Sequence, residues 1–313
     1  MTAAPPLRVV VGVATRLRPD GLRRLGETLA AQTGLDGVEP RLVVVDNDPA
    51  GSAREVADAL AGSLGWPVTY EVEPDPGIPA VRRRIVTLAL AADADALVFV
   101  DDDEQAPPHW LATLVGHWRR SGADAVTGPV RRRLPADAPA WARSSDLFDP
   151  TGRHTTGTRM SKGYTGNALV SRAVLDRLDV PFDDAFRHTG SSDLHFFLRA
   201  VREGFVVEWC EEAVVEETIG GARLTWGWYV RRAYRSGAGD TVARRLLAPG
   251  PRTTLEVLAR AVLRTGHGVV LLPVALARPA LRSLAVRRVA SGVGTLAGLL
   301  GHNYEEYRRA DSV

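Results

Sequence analysis

Apolar positions in the first part of the chain alternate between short β-branched runs and longer stretches with helical spacing. The strand-like runs are 7–14, 41–45, 68–72 and 96–100, and the last of them is fully apolar. Helical patterns follow each run: one opened by Pro19, then 53–64 and 80–91, then one resuming at Pro107. Four strand-then-helix units predict an α/β fold with a mostly parallel, Rossmann-like central sheet flanked by helices.

The pattern changes twice further along the chain. It is irregular from Gly128 to Gly166, and order then returns with predicted helices at 171–178, 192–202 and 224–236 and a strand at 206–209. From residue 241 arginines alternate with apolar blocks such as VVLLPVALA. We therefore predict one large domain over 1–240, whose pattern changes after residue 128, followed by a helical, basic, amphipathic C-terminal extension over 241–313.

Composition narrows the class of protein. With 45% hydrophobic residues, 24% charged residues and a formal net charge of +2, the 313-residue chain has the profile of a soluble globular protein, and nothing in it calls for nucleic acid. The single cysteine, Cys210, excludes an internal disulfide and a cysteine-built metal site, and its apolar surroundings predict a buried side chain. The first residues do not show the pattern of a signal peptide, so we expect a cytoplasmic protein.

Polar residues stand at the ends of the predicted strands. Thr15 follows the first strand, Asp46 the second, and the triplet Asp101 to Asp103 the fourth. Because ligands of such sheets bind beyond the carboxyl ends of the strands, we expect these side chains to share one crevice. No G-x-G-x-x-G follows the first strand and no P-loop motif occurs, which argues against dinucleotide-binding and P-loop enzymes.

The acidic triplet has the chemistry of a cation site for a nucleotide diphosphate. A hard divalent ion, Mn²⁺ or Mg²⁺, held by one or two carboxylates neutralises the charge of two phosphates. We predict metal binding at Asp103 and ribose contact at Asp101. A solvated turn ahead of the helix at Pro107 is the plainer alternative, but three adjacent carboxylates ending a buried strand favour a functional site. Asp46 suits either a base or ribose contact or an Asx turn.

These segments resemble glycosyltransferase family 2, the inverting family of GT-A fold, and especially its bacterial exopolysaccharide members. The resemblance rests on VVVGVATRLRPDGLRRLGETLAAQ, LVVVDND, PGIPAVRRRI and, most specifically, ALVFVDDDEQAPPHWL with its D-x-D segment. It implies nucleotide binding by Thr15, Asp46 and Arg82, nucleotide or ribose contacts by Asp101 and Asp102, and metal binding by Asp103. We interpret Arg83 and Arg84 as members of a solvated basic face.

The second half of the chain extends the resemblance. TGSSDLHFFLRA aligns Asp193 with the family's catalytic base, with Ser192 and His195 standing where the family usually has acids; the alternative is that Asp193 only caps the following helix. GNALVSRAVL and RLTWGWYVRRAYRSG resemble segments near the acceptor and the diphosphate. They add as candidates Asn167, Ser192, Trp228, Arg231 and Arg232. Trp226 and Tyr229 are expected to be packing residues.

The resemblance implies that 1–240 is a catalytic domain with a nucleotide-sugar-binding half (1–128) and an acceptor-binding half (129–240). It implies an inverting transferase that moves sugar from a nucleotide diphosphate-sugar, a UDP-sugar foremost, to a glycan, lipid-linked or small-molecule acceptor. The alternatives are a nucleotidyltransferase that makes nucleotide-sugars and an inactive carbohydrate-binding or scaffold protein. Interruption by Pro273 and Pro279 argues against a membrane span in the extension. Two interpretations of its basic amphipathic pattern remain: peripheral association with the inner face of the cell membrane, or packing on the catalytic domain or across a homodimer.

Overall fold

A computed structural model describes residues 5–145, 147–149, 151, 153–275 and 277–302 of the chain. The end of the predicted extension, 303–313, lies outside the described residues. The strands are β1 (Leu7–Thr15), β2 (Val38–Asp46), β3 (Val68–Val72), β4 (Ala96–Asp101), β5 (Glu104–Gln105), β6 (Ala125–Thr127), β7 (Val130–Arg133), β8 (Asn167–Ser171), β9 (Val207–Trp209) and β10 (Val215–Thr218). The α-helices are α1 (Pro19–Ala30), α2 (Arg54–Ser63), α3 (Ile78–Ala91), α4 (Trp110–Ser121), α5 (Ala140–Arg143), α6 (Arg172–Arg177), α7 (Ser192–Arg202), α8 (Trp226–Leu247), α9 (Pro251–Ala275) and α10 (Pro279–Leu299).

The main sheet has seven strands in the order β3-β2-β1-β4-β8-β6-β9. β1 to β4 are mutually parallel, and β8 runs antiparallel to both of its neighbours. Alternate residues of β1 face opposite sides: Val9 and Val11 belong to one buried cluster and Val10 to the other. Helices therefore cover both faces, and the predicted mostly parallel Rossmann-like sheet is confirmed.

Several short strands differ from the prediction. The stretch predicted as irregular contains β7 and α5, and the helix expected from Pro107 begins at Trp110. β8 was not predicted, because five residues are too few to show a period and the pairing with β4 and β6 fixes its conformation. A second, three-stranded sheet has the order β5-β10-β7.

The chain forms two compact units, and the predicted domain boundaries stay predictions. The sheet unit consists of Met1–Arg131, Thr151–Arg187 and Phe196–Glu217, and the helical unit of Arg132–Pro150, His188–His195 and Thr218–Val313. The helical unit has its own core of buried aromatic residues: Trp141, Phe148 and Tyr229.

α9 departs from the expectation that Pro273 interrupts the helical pattern. The helix continues through Pro273 to Ala275, so the proline lies inside its last turn and does not end it. Among the residues that the structure describes, α9 is the one helix long and apolar enough to cross a membrane, by length and composition.

Candidate active site

The polar strand ends predicted to converge do lie side by side. Thr15 pairs with Asp46 at the end of the β1–β2 ladder, and Ala14 pairs with Asp101 at the end of the β1–β4 ladder. Parallel pairing in this register brings the last residues of three strands to one edge of the sheet.

Asp102 and Asp103 are held by two side chains of the first strand and its loop. Thr15 Oγ1 donates to Asp102 Oδ2 at 2.8 Å. Arg18 Nη1 lies 3.3 Å from Asp102 Oδ1 and 2.8 Å from Asp103 Oδ2. Asp102 is buried, whereas the Asp103 side chain is 28% exposed. One guanidinium therefore bridges the two carboxylates, and the outer one remains accessible to solvent.

The loop before α1 aims Arg18 at the triplet. Leu17 has φ of 55°, a left-handed conformation that costs an L-residue about 1 kcal/mol, and such strain clusters at functional sites. Pro19 then opens α1. A Cβ at Gly21 would stand 2.7 Å from the Asp102 carbonyl oxygen, so glycine permits the first turn of α1 to approach the triplet closely.

Asp101 faces a different arginine. Arg82 Nη2 lies 4.0 Å from Asp101 Oδ1, and the Arg82 guanidinium stands over the Phe182 ring at 5.7 Å. The Arg82 side chain is only 11% exposed, so its position is fixed by its neighbours. The predicted association of Arg82 with the nucleotide site stays a prediction, and its proximity to the triplet supports it.

The triplet is flanked by a fourth acid that sequence analysis did not single out. The Asp101 backbone N–H donates to Glu104 Oε2 at 2.9 Å, and Glu104 is buried. Burial raises the pKa of Glu104 well above its usual range, and the charge of Asp101 adds to this effect. Glu104 directly follows the triplet in sequence, so its place at the strand end was the available indication.

Crowding and burial also raise the pKa values of two carboxyl groups of the triplet, Asp101 and Asp102. Desolvation raises the pKa of Asp101 to about 7, and the positive charge of Arg82 opposes this effect. The Asp101 side chain is nevertheless 45% exposed. Desolvation raises the pKa of Asp102 to about 6 against the hydrogen bond from Thr15 and the charge of Arg18. A bound cation favours the ionised form of a carboxyl group, so groups whose pKa is raised in this way are stabilised most by a cation.

The Asp46 carboxylate is engaged in hydrogen bonds to the loop that follows it and to β3. Its carboxylate accepts hydrogen bonds from the backbone N–H of Asp48 and of Ala53 and from the Tyr70 hydroxyl, each at 2.9 Å. Burial, followed by the hydrogen bond to Asp46, raises the pKa of Tyr70. These bonds support the Asx-turn alternative for Asp46, and its predicted nucleotide contact stays a prediction.

Asn167, Arg83 and Arg84 have structural partners inside the sheet unit. The Asn167 amide accepts from Trp110 Nε1 and donates to the carbonyls of Pro129 and Ala213. Because Asn167 is buried and its side-chain atoms are engaged, this geometry favours a structural role over acceptor contact. Arg83 pairs with Asp184 and Arg84 with Glu71, in ion pairs whose arginine side chains are 27% and 40% exposed and so keep contact with solvent.

Asp193 lies in the helical unit, in the first turn of α7. Its Oδ1 accepts from the Leu194 backbone N–H at 2.8 Å. Ser191, the residue before the helix, has φ of 73°, again a left-handed conformation in a residue other than glycine. Ser192 is fully buried. The helix begins at Ser192, and the bond from the Leu194 N–H is compatible with the capping alternative, so the role of Asp193 as catalytic base stays a prediction.

The aromatic residues of the helical unit stack on one another. Trp228 stacks on Phe148 with ring centroids 6.1 Å apart, and Trp226 stacks on Trp141 at 4.3 Å. The expected packing role of Tyr229 is confirmed, because it is fully buried. At the start of α8, Arg231 is exposed and Arg232 half-buried. Acceptor or diphosphate contacts by Trp228, Arg231 and Arg232 stay predictions.

The triplet suits a cation site that is completed by a ligand. Within the described part of the chain, no three His, Cys, Asp or Glu side chains converge as a metal cage. Asp102 and Asp103 already share one cationic group, the Arg18 guanidinium, and carboxylate oxygens are the donors that Mg²⁺ and Mn²⁺ prefer. Magnesium sites of this kind use one or two carboxylates together with phosphate oxygens of the substrate, so the residues fit.

Two solved structures have the same fold over nearly the whole chain. Mannosyltransferase PcManGT from Pyrobaculum calidifontis, solved with GDP-Man and Mn²⁺, has a TM-score of 0.63 and 17% identity, covering 96% of this chain and 90% of that one. S. aureus TarS 1–349, solved with UDP, has a TM-score of 0.52 and 15% identity, covering 95% and 93%. The chain spans 55% of a longer TarS structure. The GT-A fold is thereby confirmed.

Sequence relatives define the family. Succinoglycan biosynthesis protein ExoM of Rhizobium meliloti (strain 1021) is 30% identical over 297 residues, which are 94% of each chain. Residues 10–179 match the family model described as Glycosyl transferase family 2, and this segment contains the strand ends, Arg18, Arg82 and the acidic triplet. The chain therefore belongs to glycosyl transferase family 2 and is a glycosyltransferase.

Proposed function

We propose that this protein transfers a sugar, with inversion, from a nucleotide diphosphate-sugar to an acceptor hydroxyl. A UDP-sugar is the foremost donor, and a glycan, a lipid-linked molecule or a small molecule is the acceptor. The carboxylate triplet at the strand ends carries the proposal: Asp102 and Asp103 already bind a cationic side chain, and Asp101 lies 4.0 Å from Arg82. The complexes of PcManGT with GDP-Man and Mn²⁺ and of TarS with UDP support a nucleotide donor.

The proposed donor site lies on the sheet unit. A Mn²⁺ or Mg²⁺ ion held by Asp103 would neutralise the negative charge of the diphosphate leaving group. Asp101 and Asp102 contact the ribose or the nucleotide. Arg82, close to Asp101 and nearly buried, contributes a fixed positive charge beside the donor.

Asp193 is the proposed general base. The acceptor oxygen forms a bond to the anomeric carbon of the sugar while the bond from that carbon to the phosphate oxygen breaks. The hydroxyl proton moves to the Asp193 carboxylate, and the nucleoside diphosphate leaves. A single displacement of this kind inverts the anomeric configuration, and a base in hydrogen-bond reach of the hydroxyl contributes about 10²- to 10⁴-fold in rate.

The test combines turnover with binding. Purified protein is supplied with a panel of UDP-sugars, Mn²⁺ and water or added sugars as acceptors, and UDP release is measured. We expect Asp193→Asn to lower release by about 100-fold or more, while Mn²⁺-dependent binding of UDP stays as in the wild type. Asp176→Asn, which removes an exposed carboxylate that pairs with Arg172 on α6, is the control and should have no effect.

Other outcomes identify the alternatives. Near-normal release by Asp193→Asn contradicts the base assignment. Pyrophosphate release from a nucleoside triphosphate and a sugar phosphate points to nucleotidyl transfer. No turnover with any donor favours an inactive carbohydrate-binding protein.

A further inference from the structure

The outer surface of α9 is unusually apolar. Eight large aliphatic side chains of this helix are exposed: Leu255, Leu258, Val262, Leu263, Val269, Val270, Leu272 and Val274. We call this set the outer face of α9. From Val262 to Val274 the only polar side chain among the exposed residues is His267. Contiguous apolar surface of this kind marks a site of interaction with another apolar body.

The side of α9 that is buried has the opposite composition. Three of its four buried residues are small, Ala261, Gly268 and Ala275, and the fourth is Val257. A Cβ at Gly268 would stand 2.8 Å from the Ala285 carbonyl oxygen, and one at Gly292 of α10 would stand 3.0 Å from the Ala261 carbonyl oxygen. Small residues inside and large aliphatic residues outside reverse the pattern of a water-soluble helix, and this arrangement is typical of helices that pack together in lipid.

The charged residues of α9 leave the C-terminal part of the outer face uninterrupted. Arg264 donates to Asp240 of α8 and to Thr295 of α10, at 3.3 and 3.1 Å. Arg260 lies 3.9 Å from Glu256, an exposed acid that also pairs with Arg252 near the start of the helix. From Val262 to Val274 none of the exposed residues is charged.

Exposed arginines stand at the two ends of the helix. Arg252 at the start of α9 is exposed, and so is Arg278 just after its end. Residues 241–302 contain nine arginines and one acid, a net charge of +8 (nine minus one). Arginines at both ends of an apolar helix are placed to meet anionic headgroups, whereas two copies of this segment would repel each other.

We propose that α9 lies in the surface layer of an anionic lipid membrane, with its outer face among the acyl chains and Arg252 and Arg278 at the headgroups. α10 packs between α9 and α8: a Cβ at Gly294 of α10 would meet the Tyr234 carbonyl oxygen at 2.0 Å. α10 covers one side of α9, so the proposal places α9 along the membrane surface with α10 on the side away from the lipid. The proposal rests on the helical bundle and does not depend on the donor assigned above.

Vesicle flotation of the full chain tests the proposal. We expect the wild type to float with vesicles of phosphatidylcholine and phosphatidylglycerol, and much less with phosphatidylcholine alone. The double variant Leu263→Asp, Val270→Asp changes side chains that are 71% and 74% exposed, so we expect the fold to persist and vesicle binding to fall by at least about tenfold. Val180→Asp, at a 52% exposed valine of the sheet unit, is the control and should bind like the wild type.

Three measurements on the same proteins separate the outcomes. Circular dichroism melting reports the fold, light scattering reports self-association, and Mn²⁺-dependent UDP binding reports the donor site independently. The proposal is overturned if the wild type floats with neither vesicle, if Val180→Asp loses binding equally, or if the double variant only converts a dimer to a monomer.

Discussion

Arg18 is the residue whose role changed most between sequence and structure. It pairs with Asp102 and with Asp103, the carboxylate proposed for the cation, and its side chain is 49% exposed, so it can leave them at little cost. A divalent ion approaching Asp103 must compete with this guanidinium. Sequence analysis missed Arg18 because the left-handed turn at Leu17, which aims it, has no signature in the local pattern.

Removing this competition should tighten metal binding. We expect Arg18→Gln to lower the dissociation constant for Mn²⁺ by about fivefold in the absence of nucleotide, the size of an exposed ion pair. Titration followed by electron paramagnetic resonance measures free Mn²⁺ directly. Arg23→Gln, which removes an arginine of the same helix paired with Asp20, is the matched control. Weaker binding in Arg18→Gln would mean that Arg18 supports the cation site and does not compete for it.

Asp101 should destabilise the metal-free protein at neutral pH. Its folded pKa, about 7, lies above its ordinary value of 3.8, so the folded state binds the proton more tightly. The ionised carboxylate therefore lowers the free energy of unfolding. This loss is complete above pH 7 and disappears as the pH falls towards 4. Because the side chain is 45% exposed, we discount the penalty to about 1 kcal/mol.

Thermal melting of Asp101→Asn without metal tests whether the ionised Asp101 carboxylate destabilises the fold. The variant should melt a few degrees higher than the wild type at pH 8, and the difference should shrink towards pH 5. A variant that is less stable than the wild type at pH 8 would show that the Asp101 carboxylate is a net stabilising group.

The contact between α9 and α10 depends on glycine at one position and tolerates a side chain two residues away. A side chain at Gly268 would collide with Ala285 and Val289, whereas nothing lies within 4 Å of a Cβ at Gly266. We expect Gly268→Val to lower the free energy of unfolding by about 1–3 kcal/mol through overpacking. Gly266→Ala should leave it unchanged or raise it by up to about 1 kcal/mol through helix propensity. Denaturant titration compares them, and equal effects would contradict the close contact.

Helices and strands with a clear hydrophobic period were predictable from the sequence, whereas short strands that form only by pairing with other strands were not. β3 (Val68–Val72) and α7 (Ser192–Arg202) have the predicted bounds, because alternation and helical spacing act locally. β8 and the two-residue β5 exist through pairing with distant strands, which no local pattern reports. α9 continues through Pro273, against the prediction that this proline interrupts the helical pattern.

For the whole molecule, the fold followed from the repeated strand-then-helix pattern, and part of the site followed from the fold. The strand-end rule brought Thr15 and the triplet to one edge of the sheet, as predicted. It did not distinguish a strand-end acid engaged by backbone N–H groups, as Asp46 is, from acids that pair with an arginine side chain, as Asp102 and Asp103 do with Arg18. That distinction depends on hydrogen bonds between residues far apart in sequence.

The central claim is that the triplet binds a nucleotide diphosphate through a divalent cation at Asp103. Calorimetric titration of UDP and GDP into the wild type, with Mn²⁺ and with a chelator, tests it most directly, beside Asp103→Ala and the exposed-carboxylate control Asp58→Ala. We predict that one nucleotide binds the wild type and Asp58→Ala only with Mn²⁺, and that Asp103→Ala weakens this binding by at least about tenfold. Binding that is equally tight in the chelator, or unchanged in Asp103→Ala, would contradict the account.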